Sequence, residues 1–212
     1  MRMILTHDRW LRFVAKPVLF SACLVPFALL LKGALDADLG ANPLERVTDV
    51  TGQWGLRLLL LTLAVTPLRR LTGWSRLLRF RRMLGLFVFF YISLHFLTWV
   101  WLDQELNWGN ITADIAKRPY VTVGFTAWLL LLSLAATSTR GMMRRLGRNW
   151  QRLHRAVYAI GVLGVLHYIW LVKADLLQPL IYAGVLALLL LVRWRPRLFH
   201  GVMSLGRPIN VR

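Results

Sequence analysis

Six apolar stretches separated by short polar segments are the feature that most constrains this chain. Four of them have the ~17–25 residues that a helix needs to cross a bilayer. The second and sixth are slightly shorter than this range. Because a helix satisfies its own backbone hydrogen bonds inside the hydrocarbon layer, the pattern predicts an all-α, polytopic membrane bundle. We expect one transmembrane domain over residues 1–212, with helices at about 14–31, 54–68, 84–102, 119–137, 154–172 and 179–194.

The distribution of charge predicts how these helices are oriented. The net charge is +18 although charged residues are only 17% of the chain, because 27 Lys and Arg residues outnumber 9 Asp and Glu residues. Of the 27 Lys and Arg residues, 21 lie before or at the start of the first helix, or in and at the edges of the segments after the second, fourth and sixth helices. The positive-inside rule places these segments and both termini in the cytoplasm. Attraction to anionic lipid headgroups accounts for such clusters, so no nucleic-acid partner is expected.

Three histidines lie within the predicted spans: His95, His154 and His167. A buried ionisable side chain in a membrane is costly, so it normally faces the protein interior and has a partner. At about 1.5 Å of rise per residue, His167 lies roughly 20 Å beyond His154, which puts it in the outer half of the membrane. His95 follows eleven residues of an outward-running helix and therefore shares the depth of His167.

Two imidazoles at one depth on separate helices suit axial ligation of one haem iron. Haem is held through axial side chains, and facing helices of a bundle commonly build such sites. His95 and His167 are therefore the predicted axial pair. A hydrogen-bonded core role for each is the alternative, although a shared ligand explains the equal depth better. Zinc would need further ligands at this depth, and a proton relay would bring intramembrane acidic residues.

His154 is predicted as a further haem ligand near the cytoplasmic face, with a core or interfacial histidine as the alternative. The third helix offers no histidine at that depth; it offers Arg81, Arg82 and Met83. We predict that Arg81 or Arg82 contacts a haem propionate or a flavin, unless the two serve only as topology charges. The sequence is therefore compatible with either one haem or two.

The sequence lacks the motifs of several common redox sites. The only cysteine, Cys23, rules out an internal disulfide, covalent haem attachment through Cys-x-x-Cys-His and an iron–sulfur cluster held by this chain alone. The chain also has no Gly-rich dinucleotide loop and no P-loop. Any electrons that it carries are therefore expected to arrive from another molecule.

Particular segments resemble a known family. RRMLGLFVFFYISLHFLTW, the RPY at 118–120, the TST at 137–139 and the W-x-x-L-H that ends at His154 are together rather specific. They are similar to the MsrQ family, formerly called YedZ, and the likeness extends over nearly the whole chain. These proteins are the haem-binding membrane subunits of bacterial periplasmic methionine sulfoxide reductase systems.

The resemblance implies a fold, cofactors and partners. The fold is that of the ferric-reductase-like transmembrane superfamily, in the bacterial inner membrane. Haem b is implied to bind through His95, His154 and His167, and FMN is attributed to the family. Electrons are implied to come from the quinone pool or a cytosolic flavin reductase and to leave for MsrP, a periplasmic molybdopterin enzyme. The chain would then be an electron-transfer subunit rather than the catalytic subunit.

Two rival functions belong to other classes. One is a haem or ion transporter, which a colourless purified protein would favour. The other is a self-contained ferric reductase, in which outer acidic residues such as Asp103 and Glu105 could concentrate cations.

Overall fold

The computed structural model describes residues 10–172 and 174–194, and this part of the chain is helical with no strand. The all-α prediction is therefore confirmed for these residues. Both termini, which the charge pattern assigns to the cytoplasm, lie largely outside them. In chain order the helices are α1 Lys16–Leu35, α2 Pro43–Thr72, α3 Leu78–Thr98, α4 Trp108–Lys117, α5 Pro119–Ala136, α6 Arg140–Leu146, α7 Arg148–His154, α8 Ala156–Leu171 and α9 Leu177–Trp194.

The helix ends follow from local sequence. Asn42 accepts a hydrogen bond from the Glu45 amide and Pro43 occupies the first turn of α2, an arrangement that satisfies amides left free at a helix start. At the other end of α2, Gly73 has a φ of 69°, the left-handed conformation that commonly stops a helix. The fifth helix also has a proline, Pro119, in its first turn, although no side chain caps it.

Two antiparallel helix pairs form the centre of the bundle. The contacts between α2 and α3 are the most extensive in the described chain, followed by those between α5 and α8. Packing of α3 against α5 joins the two pairs, while α1 and α9 lie against their outer sides. One cluster of buried apolar residues draws on all six long helices, from Cys23 in α1 through Leu59, Val88, Leu131 and Ile160 to Leu186 in α9, with others between.

Four helical segments are long and apolar enough to cross a membrane: Phe13–Leu35, Ser75–Asp103, Pro119–Ala136 and Leu177–Trp194. The remaining two predicted spans correspond to α8, which has 16 residues, and to α2, which carries Gln53 and Arg57 near its middle. Membrane crossing by these two helices therefore stays a prediction. Large apolar side chains such as Leu29 and Leu188 are more than half exposed on α1 and α9, as expected for helices that face lipid.

Candidate cofactor site

His95 is held by a hydrogen bond to the neighbouring helix. It lies near the end of α3, and its Nδ1 is 2.9 Å from the carbonyl oxygen of Thr48 in α2. A carbonyl can only accept, so Nδ1 carries the proton and donates it. In the neutral ring this leaves Nε2 with a free lone pair, which is the form that binds a metal ion.

His167 repeats this arrangement on the other helix pair. Its Nδ1, in α8, donates to the carbonyl oxygen of Tyr120 in α5 over 2.7 Å. The same argument leaves Nε2 of His167 unprotonated. Metal-binding histidines commonly donate their second ring nitrogen to a backbone carbonyl, which fixes both the tautomer and the direction of the ring.

The structure brings His95 and His167 together. Their ring centroids are 6.1 Å apart and their planes are nearly perpendicular, at 87°. Two imidazoles bound through nitrogen to one metal at about 2 Å each would place their centroids about 6.3 Å apart, because each nitrogen lies about 1.2 Å from its ring centre. The observed spacing therefore fits two imidazoles that share one metal ion.

Both rings line a cavity of about 670 Å³, which lies within the range of pockets that hold drug-sized ligands and cofactors. Its walls come from α2, α3, α5 and α8. Aromatic rings cover one wall: Phe96 stacks on Trp128 with centroids 4.2 Å apart, and the Trp128 indole nitrogen donates to Ser93 over 3.2 Å. The body of the cavity is thus largely apolar and aromatic, which suits a flat hydrophobic cofactor.

Charged residues lie at one end of the cavity, near the start of α2 and the segment before α5. Glu45, Asp49 and Asp103 line it together with one cation, Arg118. Arg118 is bound to Asp114, with Nε 3.3 Å from the carboxylate, and donates to the Tyr120 hydroxyl over 3.3 Å. The hydrogen bond to Tyr120 and the negative charge of Asp114 raise the pKa of Arg118, so it is a permanent cation at this site.

His154 has different surroundings. It ends α7, and its Nε2 is 3.1 Å from the hydroxyl of Thr137, while the Trp150 ring stacks on it at 4.0 Å. Trp150 in turn donates its indole N–H to the Thr137 carbonyl over 2.9 Å. His154 does not line the cavity that contains the other two histidines. His154 uses Nε2 for a hydrogen bond, whereas His95 and His167 leave Nε2 free. Binding of a haem iron by His154 therefore stays a prediction.

Arg81 and Arg82 lie in the first turn of α3 and do not line this cavity either. Arg81 is half-buried and Arg82 is exposed. Arg82 precedes His95 by thirteen residues, the same interval that separates His154 from His167. With the same helical rise the two basic residues would lie at the level of His154, and their contact with a cofactor stays a prediction.

Sequence reasoning found the two histidines but missed the groups that hold them. Neither the carbonyl acceptors at Thr48 and Tyr120 nor the cation Arg118 was predicted as part of the site. The RPY segment carried a signal, since it supplies both Arg118 and Tyr120. Among the described residues no group of three or more His, Cys, Asp or Glu side chains could hold a metal ion.

Comparison with known proteins finds one family model and several named relatives that match more than half of the chain. The family model described as the ferric reductase like transmembrane component matches residues 51–165. A relative from Xanthomonas campestris pv. campestris (strain B100) is 56% identical over 188 residues, which is 85% of each chain. One from Rhodospirillum rubrum is 57% identical over 178 residues, covering 84% of this chain and 86% of its own. Both are named protein-methionine-sulfoxide reductase heme-binding subunit MsrQ. No solved structure matches the chain.

Proposed function

Because this chain belongs to the ferric-reductase-like transmembrane family, and within it to the MsrQ family, we propose that it is a haem-binding membrane subunit that passes electrons to a methionine sulfoxide reductase. Its relatives carry haem binding and this reductase in their names. The proposal extends both to this chain, because its histidines and cavity suit the same cofactor.

One observation carries the proposal: two imidazoles, each with Nδ1 tied to a backbone carbonyl, lie 6.1 Å apart in one large apolar cavity. Histidines that serve only the core would be expected to use both ring nitrogens or to pack closely. In contrast, His95 and His167 keep one nitrogen each for a ligand. A six-coordinate, low-spin haem b uses two axial donors of this kind, and its macrocycle needs apolar surroundings.

Each residue of the site has a distinct role in this proposal. His95 and His167 bind the iron through Nε2, and the aromatic wall with Phe96 and Trp128 orients the ring and keeps water away. Arg118 is the cation available to a propionate, since it lines one end of the same cavity. When bound, haem b supplies one-electron redox chemistry, and the protein sets its position and potential.

A second cofactor on the cytoplasmic side is the finer part of the proposal. We assign His154 to an inner haem, with Arg81 or Arg82 in contact with a propionate or with the phosphate of FMN. The Thr137 hydroxyl must release Nε2 of His154 before this nitrogen can bind iron. The outer site needs no such rearrangement, so it should bind haem more tightly than the inner site.

Electrons must reach the haem from a separate donor, because the sequence has no nucleotide-binding loop. We propose the quinone pool or a cytosolic flavin reductase as donor and a periplasmic molybdopterin reductase of the MsrP type as acceptor. The location that follows is the bacterial inner membrane, with the outer histidine pair nearer the acceptor. The Arg-rich cytoplasmic segments would attract an anionic flavoprotein, whereas a quinone entering from lipid would need no such charge.

The test is to measure haem in the purified chain and in its histidine variants. His95→Ala and His167→Ala should each abolish the low-spin signal of the outer haem, because a single remaining imidazole leaves one axial position open. His154→Ala should leave that signal intact and lower only the total haem per chain. Full haem content with an unchanged spectrum in either outer variant would refute the pairing.

Electron delivery needs a separate measurement. The chemically reduced protein should be reoxidised by a periplasmic methionine sulfoxide reductase only when methionine sulfoxide is present. Rapid reoxidation by ferric chelates without that partner would instead favour a self-contained ferric reductase.

A further inference from the structure

A glycine lies directly behind each of the two outer histidines. In the first helix pair this residue is Gly52, which follows the acceptor Thr48 by one helical turn. A Cβ atom built on Gly52 would lie 3.0 Å from Nδ1 and 3.1 Å from Cε1 of His95. The imidazole therefore rests its Nδ1–Cε1 edge on backbone that has no side chain.

The second helix pair has the same contact in a tighter form. Gly124 follows the acceptor Tyr120 by one turn, and its Cβ would lie 2.7 Å from Nδ1 and 2.9 Å from Cε1 of His167. Contacts under 3.0 Å essentially never occur for real Cβ atoms, so an alanine here would displace the ring or the helix. The hydrogen bond to Tyr120 could not keep its length of 2.7 Å.

The two arrangements are copies of one pattern. In both, 47 positions separate the carbonyl acceptor from the histidine. Each member of the first set, acceptor, glycine and histidine, lies 72 positions before its counterpart in the second set. The two helix pairs thus present the same three groups to one cavity from opposite sides, which a chance packing of two glycines would not produce.

We propose that Gly52 and Gly124 are positioning residues for the cofactor, each holding one imidazole against its carbonyl acceptor so that Nε2 faces the shared metal. This inference rests on the proposed haem function and extends it to the groups behind the ligands. Only glycine allows a ring edge to approach a helix closely enough to reach the backbone carbonyl one turn away. Because that hydrogen bond raises the basicity of the imidazole, the glycines also influence the redox potential.

Gly52→Ala and Gly124→Ala test this directly, with Gly85→Ala and Gly184→Ala as controls. A Cβ at either control position meets nothing within 4 Å, and all four glycines lie within helices. The measurements are the affinity of the apoprotein for added haemin, the low-spin absorbance and the midpoint potential. Size-exclusion profile and far-UV circular dichroism establish that each variant is folded.

We expect Gly124→Ala to weaken haemin binding by about 10-fold or more, because loss of a hydrogen bond that orients a metal ligand typically lowers affinity by about 10- to 100-fold. Gly52→Ala should weaken binding less, because its Cβ would approach His95 less closely. The haem that still binds should have a more positive potential, since a less basic imidazole stabilises ferric iron less. The two control variants should bind haemin as the unmodified chain does.

Two results would overturn the inference while leaving the haem function intact. The first is that Gly52→Ala and Gly124→Ala bind haemin as tightly as the control variants do. The second is that they bind haemin more weakly but with an unchanged midpoint potential, which would show that the glycines only provide packing space. If Gly124→Ala does not fold, the milder Gly52→Ala variant decides the question by the same criteria. Absence of haem from the unmodified chain would count against the proposed function itself.

Discussion

The hydroxyl of Tyr91 in α3 donates a 2.7 Å hydrogen bond to the carbonyl of Cys23 in α1. The same hydroxyl accepts a 3.1 Å bond from the amide of Phe27. Cys23 and Phe27 are the two groups that an uninterrupted helix would join to each other. Pro26 lies between them, and it lacks an amide hydrogen and disturbs the helix at this turn. Tyr91, which is completely buried, therefore bridges the weakened turn of α1 from the neighbouring helix.

Tyr91→Phe should lower the free energy of unfolding by about 1–3 kcal/mol, because it leaves a buried amide and a buried carbonyl without their partner. The measurement is thermal or denaturant-induced unfolding of the purified protein in detergent. Tyr168→Phe is the control, since its hydroxyl makes an exposed 3.3 Å bond to Gln178 and should matter little. Equal stabilities for the two variants would contradict the bridging role.

The sequence predicted the helices that Tyr91 connects, but not the contact between them. The first predicted span, 14–31, lies largely within Lys16–Leu35, and the fourth, 119–137, nearly coincides with Pro119–Ala136. Hydropathy suffices for such helices because their length is set by the apolar run. It cannot show that Pro26 is compensated by Tyr91, since the two residues are 65 positions apart and only packing brings them together.

Short polar helices were also missed. The hydropathy pattern predicts only a short polar segment after the third span, yet this segment contains α4, which Asn107 caps by accepting from the Asn110 amide. The segment after the fourth span contains α6 and α7. These helices are too short to produce a hydropathy signal, and their amphipathic or basic character is typical of the membrane surface.

The repeat of carbonyl acceptor, glycine and histidine in the two helix pairs was not detected in the sequence either. Depth along the helices correctly predicted that His95 and His167 share a level, and the structure brings them into one cavity. The glycines gave no usable signal, because single glycines in apolar helices have many packing roles. Only the coordinates show that the same spacing recurs in contact with both histidines.

Gly55→Ala should destabilise the central helix pair. A Cβ on Gly55 would lie 2.3 Å from Cδ1 of Ile92, far inside contact distance. Overpacking of this kind typically costs about 1–3 kcal/mol. In the Ile92→Ala background the same substitution at Gly55 should cost less, because the colliding methyl group is already absent.

Unfolding midpoints in detergent measure this effect, with Gly85→Ala as the matched control. That control should be neutral or slightly stabilising, since alanine favours a helix by up to about 1 kcal/mol over glycine. An equal cost of Gly55→Ala with and without Ile92→Ala would show that the two residues do not collide.

Thr137→Val should strengthen haem binding at the inner site. In the structure Nε2 of His154 is engaged with the Thr137 hydroxyl at 3.1 Å, so this bond competes with iron for the same nitrogen. Removing a hydrogen bond worth about 1 kcal/mol should raise the inner affinity by about 5-fold. Haemin titration of His95→Ala protein, in which the outer pair is broken, isolates this site.

The same titration with His154→Ala added should show no inner binding. Unchanged or weaker binding in Thr137→Val would mean that the hydroxyl supports the histidine, so that His154 serves as a structural residue beside Trp150.

Arg118→Gln should weaken haem binding at the outer site by about 2- to 5-fold, the range expected for a solvent-exposed ion pair. The side chain of Arg118 is 53% exposed and shares its charge with Asp114, so the effect is modest and should fall further as salt is added. Asp114→Asn should act in the opposite direction, because it frees the guanidinium for a propionate. Lys117→Gln is the matched control, since it removes an adjacent positive charge that does not line the cavity.

Haem dimethyl ester, whose carboxylates are blocked, distinguishes a propionate contact from a general effect of charge. Its affinity should be the same for the unmodified chain and for Arg118→Gln, because no carboxylate remains for the guanidinium to bind. A loss of affinity for the ester as large as that for haemin would show that Arg118 acts by shaping the cavity through Tyr120. In that case the Asp114→Asn variant would weaken binding as well, since it would release the same guanidinium from its position.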